Sequence, residues 1–185
     1  MTKPTATTLI VCGASLMSFV GILIRLLDDA SGFQILFYRS IGLTLIVLLV
    51  VCIRRNSGPY NFIKSIDLND LLMGVWLALA FTTYIFSMLL SSVASTLLIL
   101  TIAPFLAAVI AWTWIGETPH PVTWPTMIVA TFGVGLMVFD GAKLGYSFGN
   151  ICALLSALCF SIMLVVARRS RKKDVLGGTF MAGVL

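Results

Sequence analysis

The sequence predicts an all-α fold, a polytopic helical bundle embedded in a membrane, and three observations predict it. Apolar residues fill 59% of the 185 positions and charged residues only 10%, far from the roughly 25% charge of an average soluble domain. Ser95 to Ile115 reads STLLILTIAPFLAAVIAWTWI with no charge, and about 20 such residues at ~1.5 Å each cover the hydrocarbon of a bilayer. The hinge Gly116-Glu117-Thr118-Pro119-His120-Pro121 is too short to hold a domain, so Thr123 to Phe139 must turn straight back as the second arm of a hairpin.

Taken in order, Thr5 to Leu27 is a first span, too long for a signal-peptide core and without a basic leader or a small-x-small cleavage site. Asp28, Asp29, Ser31 and Gly32 form a short loop, and Phe33 to Ile53 is span two, interrupted near its start by Arg39. Arg54 to Pro59 closes it, and the stretch to Ile66 reads as a surface loop. Asp67-Leu68-Asn69-Asp70 places acids at a helix start, where the dipole favours them. Span three, Leu71 to Leu90, carries Gly74, Ala78 and Thr82 at fourfold spacing, the pattern that lets helices approach closely in lipid. Ser87, Ser91 and Ser95 continue the rhythm across a tight turn near Ser91-Ser92. In span four, Ala103, Ala107 and Ala111 form another small-residue face. Pro104 removes a backbone donor there and predicts a bend near Ala103. Span five ends at Asp140-Gly141. Ser147 to Ala167 is span six, followed by the basic cluster from Arg168 to Lys173. The apolar run from Val175 to Leu185 is eleven residues long, too few to cross a bilayer, and predicts a chain that ends inside a seventh span.

Charge sets an expected orientation. Lys3, Arg54, Arg55, Lys64 and the five bases from Arg168 to Lys173 put nine Lys and Arg on the side of the amino terminus, against Arg25, Arg39 and Lys143 on the other. The positive-inside rule then makes the amino terminus cytoplasmic. The same distribution, with bases at the ends of apolar runs, argues against nucleic acid as a partner despite the net charge of +5. Cys12, Cys52, Cys152 and Cys159 lack zinc-site or disulfide spacing and read as apolar filler. An intramembrane enzyme is not expected: the seven acids all fall at span ends, and His120, the single histidine, lies in a loop. No cofactor or metal is expected either.

A shift of 143 residues aligns Ala14 with Ala157, Ser18 with Ser161, Arg25 with Arg168 and Phe37 with Phe180. Residues 7–140 then form one five-span copy and residues 147–185 the start of a second. Two odd-numbered copies in one chain must face opposite ways, the logic of inverted repeats in secondary transporters.

Phe37-Tyr38-Arg39-Ser40, the block from Ala103-Pro104-Phe105 to Gly116-Glu117, Trp124 and Gly133-Val134 together resemble the EamA family of the drug/metabolite transporter superfamily, from about Leu9 to Leu185. The departures are Thr118-Pro119-His120-Pro121 and Pro125-Thr126, where a more regular helix entry is usual. The resemblance implies a ten-span carrier built from two inverted five-helix repeats, cytoplasmic termini, a central cavity, and export of small metabolites such as amino acids across the cell membrane. The expected partners are a small-molecule substrate and the lipid bilayer, with a homodimer left open. The alternative is a non-transporting membrane subunit or sensor.

Candidate cavity residues are Ser18, Tyr84, Thr101 and Ser161, with Trp76 after them, because hydroxyls and aromatic dipoles in hydrocarbon need partners. Pro104 is the candidate for a gating kink. Arg39 lies about 8–10 Å into its span at 1.5 Å per residue. A charge held toward the bundle costs roughly 2.5–3.5 kcal/mol at the membrane centre, less nearer the interface, and persists when it has a partner or a job. The expectation is therefore that Arg39, flanked by Tyr38 and Ser40, grips a substrate carboxylate or phosphate through its planar fork.

Overall fold

In hydrocarbon every backbone N–H and C=O must be satisfied within the chain, which leaves long helices as the only open-chain solution for runs of this composition. The structure, a computed structural model, describes residues 3–26, 31–55, 59–119, 121–143, 145–170 and 175–185, and it divides into two units, Met1–Ser31 and Gly32–Leu185. The first unit contains α1 (Lys3–Leu26), whose 24 residues extend about 36 Å at 1.5 Å each.

The second unit runs α2 (Gly32–Arg55), α3 (Pro59–Lys64), α4 (Leu68–Leu90), α5 (Val93–Leu100), α6 (Ala103–Ile115), α7 (Thr123–Lys143), α8 (Ser147–Arg169) and α9 (Leu176–Val184). Among the described residues, α2, α4, the α5–α6 pair and α8 are long and apolar enough to cross a membrane. The protein is an all-α membrane helical bundle.

α8 is the centre of the second unit: it lies along α4 and also meets α5, α6 and α7, while α9 packs between α4 and α2. Small residues make these approaches possible. A Cβ on Gly74 would collide with Met181, one on Gly178 would come within 2.7 Å of Met73 Cβ, and one on Gly183 within 2.5 Å of Thr44 Oγ1. The Gly74, Ala78, Thr82 stripe therefore belongs to the α9 side of α4. Ala103 is buried in one core cluster with Ile99, Ile102, Val134 and the α8 residues Ala153 and Ala157, and Ala111 is buried as well.

Two local features differ from the sequence expectation or sharpen it. The stretch expected as a surface loop contains α3, whose Phe62 is buried and meets Phe180 of α9 edge to face at 5.6 Å, closing a cluster with Val47 and Val51. The start of α4 is capped as its acids imply: Asp67 N–H donates to Asp70 Oδ2 at 3.1 Å. Asp70 is only 4% exposed, because Gly177 in the first turn of α9 sits directly over its carboxylate. Elsewhere the outer faces of α2 and α7 stay apolar and exposed, through Leu45, Ile46 and Leu49 on one and Ile128, Val129 and Phe132 on the other. That is how lipid-facing surface looks.

Candidate functional site

Arg39, Ser40, Leu43 and Thr44 lie on one side of α2 because residues three and four apart share a helix face. Opposite them α4 contributes Ala78, Phe81 and Thr82, and α9 contributes Ala182 and Gly183. Between the three helices is an open groove of about 620 Å³.

Its charge is Arg39. The guanidinium carbon stands 3.9 Å from the centre of the Phe81 ring, a stacking that fixes the plane of the fork and offsets part of its desolvation. Arg39 Nη1 is buried without a hydrogen-bond partner. Tyr84, one turn further along α4, lies within electrostatic range of the same group. Thr44 Oγ1 is likewise buried and unpartnered, held close to the backbone of Gly183. Thr82 spends its hydroxyl proton on its own helix, at Ala78 O, 2.9 Å. Among the described residues no acidic side chain lines the groove.

Of the candidates, Arg39 lies in the groove with Tyr84 in its electrostatic range, whereas Tyr38, Thr101 and Ser161 lie outside its lining. Tyr38 is 73% exposed and pairs edge to face with Phe37 at 5.8 Å, outside the groove. Thr101 is exposed, and its hydroxyl donates to Leu98 O at 2.6 Å. Ser161 is fully buried, its hydroxyl 2.8 Å from Ala103 O and 2.6 Å from Ala157 O, so it ties α8 to the start of α6. Trp76 is half-buried and packs in the α4–α8–α9 cluster. Ser18 falls in α1, but its side chain lies outside the described residues.

Pro104 stands in the first turn of α6, two residues after the span breaks at Thr101–Ile102. There Thr101 N–H and Ile102 N–H bond three residues back, to Leu98 O at 3.1 Å and Ile99 O at 3.2 Å. Pro104 also lines a small pocket of about 150 Å³ with Ala107, Ala108, Leu164 and Arg168.

Thr44, Phe81 and Gly183 were missed by the sequence reading. Ser40 and Thr44 at fourfold spacing after Arg39 were a signal, as was Phe81 three residues before Tyr84; Gly183 carried none, since its role depends on α9 crossing α2.

Two further polar links hold the helices. At the α4–α5 turn, Asn150 Oδ1 accepts from Ser91 Oγ at 2.9 Å and Ser95 Oγ at 3.0 Å, while Ser87 and Thr96 share a hydrogen bond of 2.8 Å. At the other end, Glu117 accepts from Arg168 Nη1 at 3.2 Å, and Arg169 lies 5.9 Å over Trp114.

A model of the EamA-like transporter family matches residues 5–139, which takes in α1 through most of α7 and the α2 and α4 walls of the groove. No curated protein and no solved structure matches the chain. With a match over well more than half its length, the chain belongs to the EamA-like transporter family.

Proposed function

We propose that the protein is a secondary transporter that carries a small organic metabolite across the cytoplasmic membrane, in the export direction that the family resemblance implies. The groove between α2, α4 and α9 is its binding site. Residues 7–140 act as one repeat and 147–185 as the start of a second, inverted one. The observation that carries this reading is Arg39: a cation inside an apolar groove, stacked on Phe81, with Nη1 unpartnered. An unpaired charge in a membrane helix is costly and marks a solute pathway more often than a packing contact. In this role Arg39 grips the polar end of the solute through its planar fork, Phe81 keeps that fork in place, and the apolar walls accept the remainder.

The test is flux in proteoliposomes for the wild type, Arg39→Lys and Arg39→Ala, each normalised to membrane abundance. Loss of at least tenfold in flux at normal abundance for both variants is expected. Unchanged flux with lysine would reduce Arg39 to an interfacial charge, and no flux of any solute by the wild type would leave the protein a non-transporting subunit or sensor.

A further inference from the structure

We propose that the cationic end of α8 holds one anionic phospholipid, its phosphate against Arg168 and Arg169 and the start of an acyl chain in the slot between α6 and α8. This slot shares no lining residue with the groove around Arg39. Its volume is about 150 Å³, and its walls are Pro104, Ala107 and Ala108 on α6 and Leu164, Val165 and Arg168 on α8. Ser161 ties the two helices together at Ala103 O, 2.8 Å away. One turn on, the methyl groups of Ala107 and Ala108 are too short to fill the space beside Leu164 and Val165, and a recess remains. Pro104 is exposed, so the recess opens on the outside of the bundle, where a lipid tail can enter.

Charge selects the headgroup. Arg168 gives Nη1 to Glu117 Oε2 at 3.2 Å, yet 66% of its side chain stays exposed, and a guanidinium has further N–H donors for a second acceptor. Arg169 lies over the Trp114 ring, 5.9 Å from its centre. From Arg168 to Asp174 the chain carries five bases and one acid, and counting Glu117 the bases still lead five to two; such an excess at the end of a span attracts anionic headgroups. Indole rings at a span end favour the headgroup level. Trp112, Trp114 and Trp124 are all exposed here, Trp112 and Trp124 paired edge to face at 5.4 Å, which places the two guanidinium groups at the depth of lipid phosphates. A phosphatidylcholine headgroup would bring its own cation to a place where bases already outnumber acids, and a free phosphate would leave the slot empty. An anionic phospholipid meets both the charge and the slot.

Dioleoyl phosphatidylglycerol and dioleoyl phosphatidylcholine test this, because they share their tails and differ in headgroup charge, with glycerol 3-phosphate as a phosphate without tails. Binding is read on the purified full chain in a nonionic detergent at fixed salt, from the ligand-dependent rise in Tm. Phosphatidylglycerol is expected to bind at least tenfold more tightly than either of the others. Arg168→Gln together with Arg169→Gln is expected to abolish that preference. Ala108→Leu, which fills the slot and leaves every charge in place, is expected to weaken phosphatidylglycerol severalfold; the glycerol 3-phosphate comparison stands in for it should that variant not fold. Phosphatidylcholine binding as tightly as phosphatidylglycerol, or a preference that survives the double substitution, overturns the proposal. So does glycerol 3-phosphate binding as tightly as the anionic lipid, or a lipid affinity indifferent to the filled slot, since either result leaves only a diffuse attraction to basic side chains.

Discussion

Asn150 shows what a single side chain does in this bundle. It is 0% exposed, and its Oδ1 takes protons from both Ser91 and Ser95, while Nδ2 has no partner. Asn150→Ala removes the shared acceptor and leaves two buried hydroxyls, so a loss of about 1–3 kcal/mol is expected, read from thermal unfolding in detergent. Ser161→Ala removes a hydroxyl that Ala103 O can spare, since interhelical bonds of this kind average only about 0.6 kcal/mol; a loss no larger than that of Asn150→Ala is the checkable ordering. The ion pair of Glu117 and Arg168 belongs lower still. Its side chains are 56% and 66% exposed, and Arg168→Ala is expected to cost less than about 1 kcal/mol, shrinking further in high salt. At this scale the sequence was legible where chemistry alone decides: a lone arginine in a span, serines at fourfold spacing. It was not legible where a hydroxyl has a choice. Thr101 and Ser161 are equally polar in sequence, yet one bonds its own helix at the surface and the other bridges two helices in the core. Nothing local distinguishes them.

Elements meet here through missing side chains. α9 lies against α4 closely enough that Gly74 faces Met181 and Gly178 faces Met73, whereas Gly133 and Gly135 on α7 have nothing within 4 Å of an added Cβ. Gly74→Ala is therefore expected to destabilise by about 1–3 kcal/mol through overpacking, and Gly135→Ala to stay within about 0.5 kcal/mol of wild type. Equal effects on detergent Tm would mean that α9 does not sit where the structure has it. The break between α5 and α6 follows from Pro104, which cannot donate to Leu100 O; the turn is taken up by the three-residue bonds of Thr101 and Ile102 and braced by Ser161. Span ends were readable from caps and charges to within a few residues, because Asp67, Ser92 and Gly116 carry their own local signals. α3 was not: its six residues have no period to detect, and Phe62 is buried only because Phe180, more than a hundred positions away, comes to meet it.

At the scale of the whole second unit, the contacts sort into two ends. At one, Gly32 of α2 approaches Phe86 and Leu89 of α4, and Gly149 of α8 approaches Leu90 and Ser91. At the other, Asp70 of α4 meets Gly177 of α9, and Glu117 meets Arg168. This alternation is what successive spans joined by short loops require, whereas the pairing of α8 with α4 and of α9 with α2 could not be read from the sequence: hydrocarbon-facing and helix-facing leucines look alike. The second end carries the cations, Lys64, Arg168 and Arg169, with Arg54 and Arg55 closing α2 beside them in sequence. The first has Lys143 at the end of α7, and Arg39 about 10 Å inward from Gly32 at 1.5 Å per residue. The positive-inside rule predicts a cytoplasmic second end, which would put the groove around Arg39 in the outer half of the bilayer. Single cysteines at Ser65 and Ser147, in a chain whose Cys12, Cys52, Cys152 and Cys159 are replaced, test this directly. Both positions are exposed, and the two lie at opposite ends of the unit. A membrane-impermeant maleimide added to intact cells should label Ser147→Cys at once and Ser65→Cys only after permeabilisation. The reverse pattern would invert the protein, turn the groove to the cytoplasmic half, and make Arg39 the first charge met by a solute leaving the cell rather than the last.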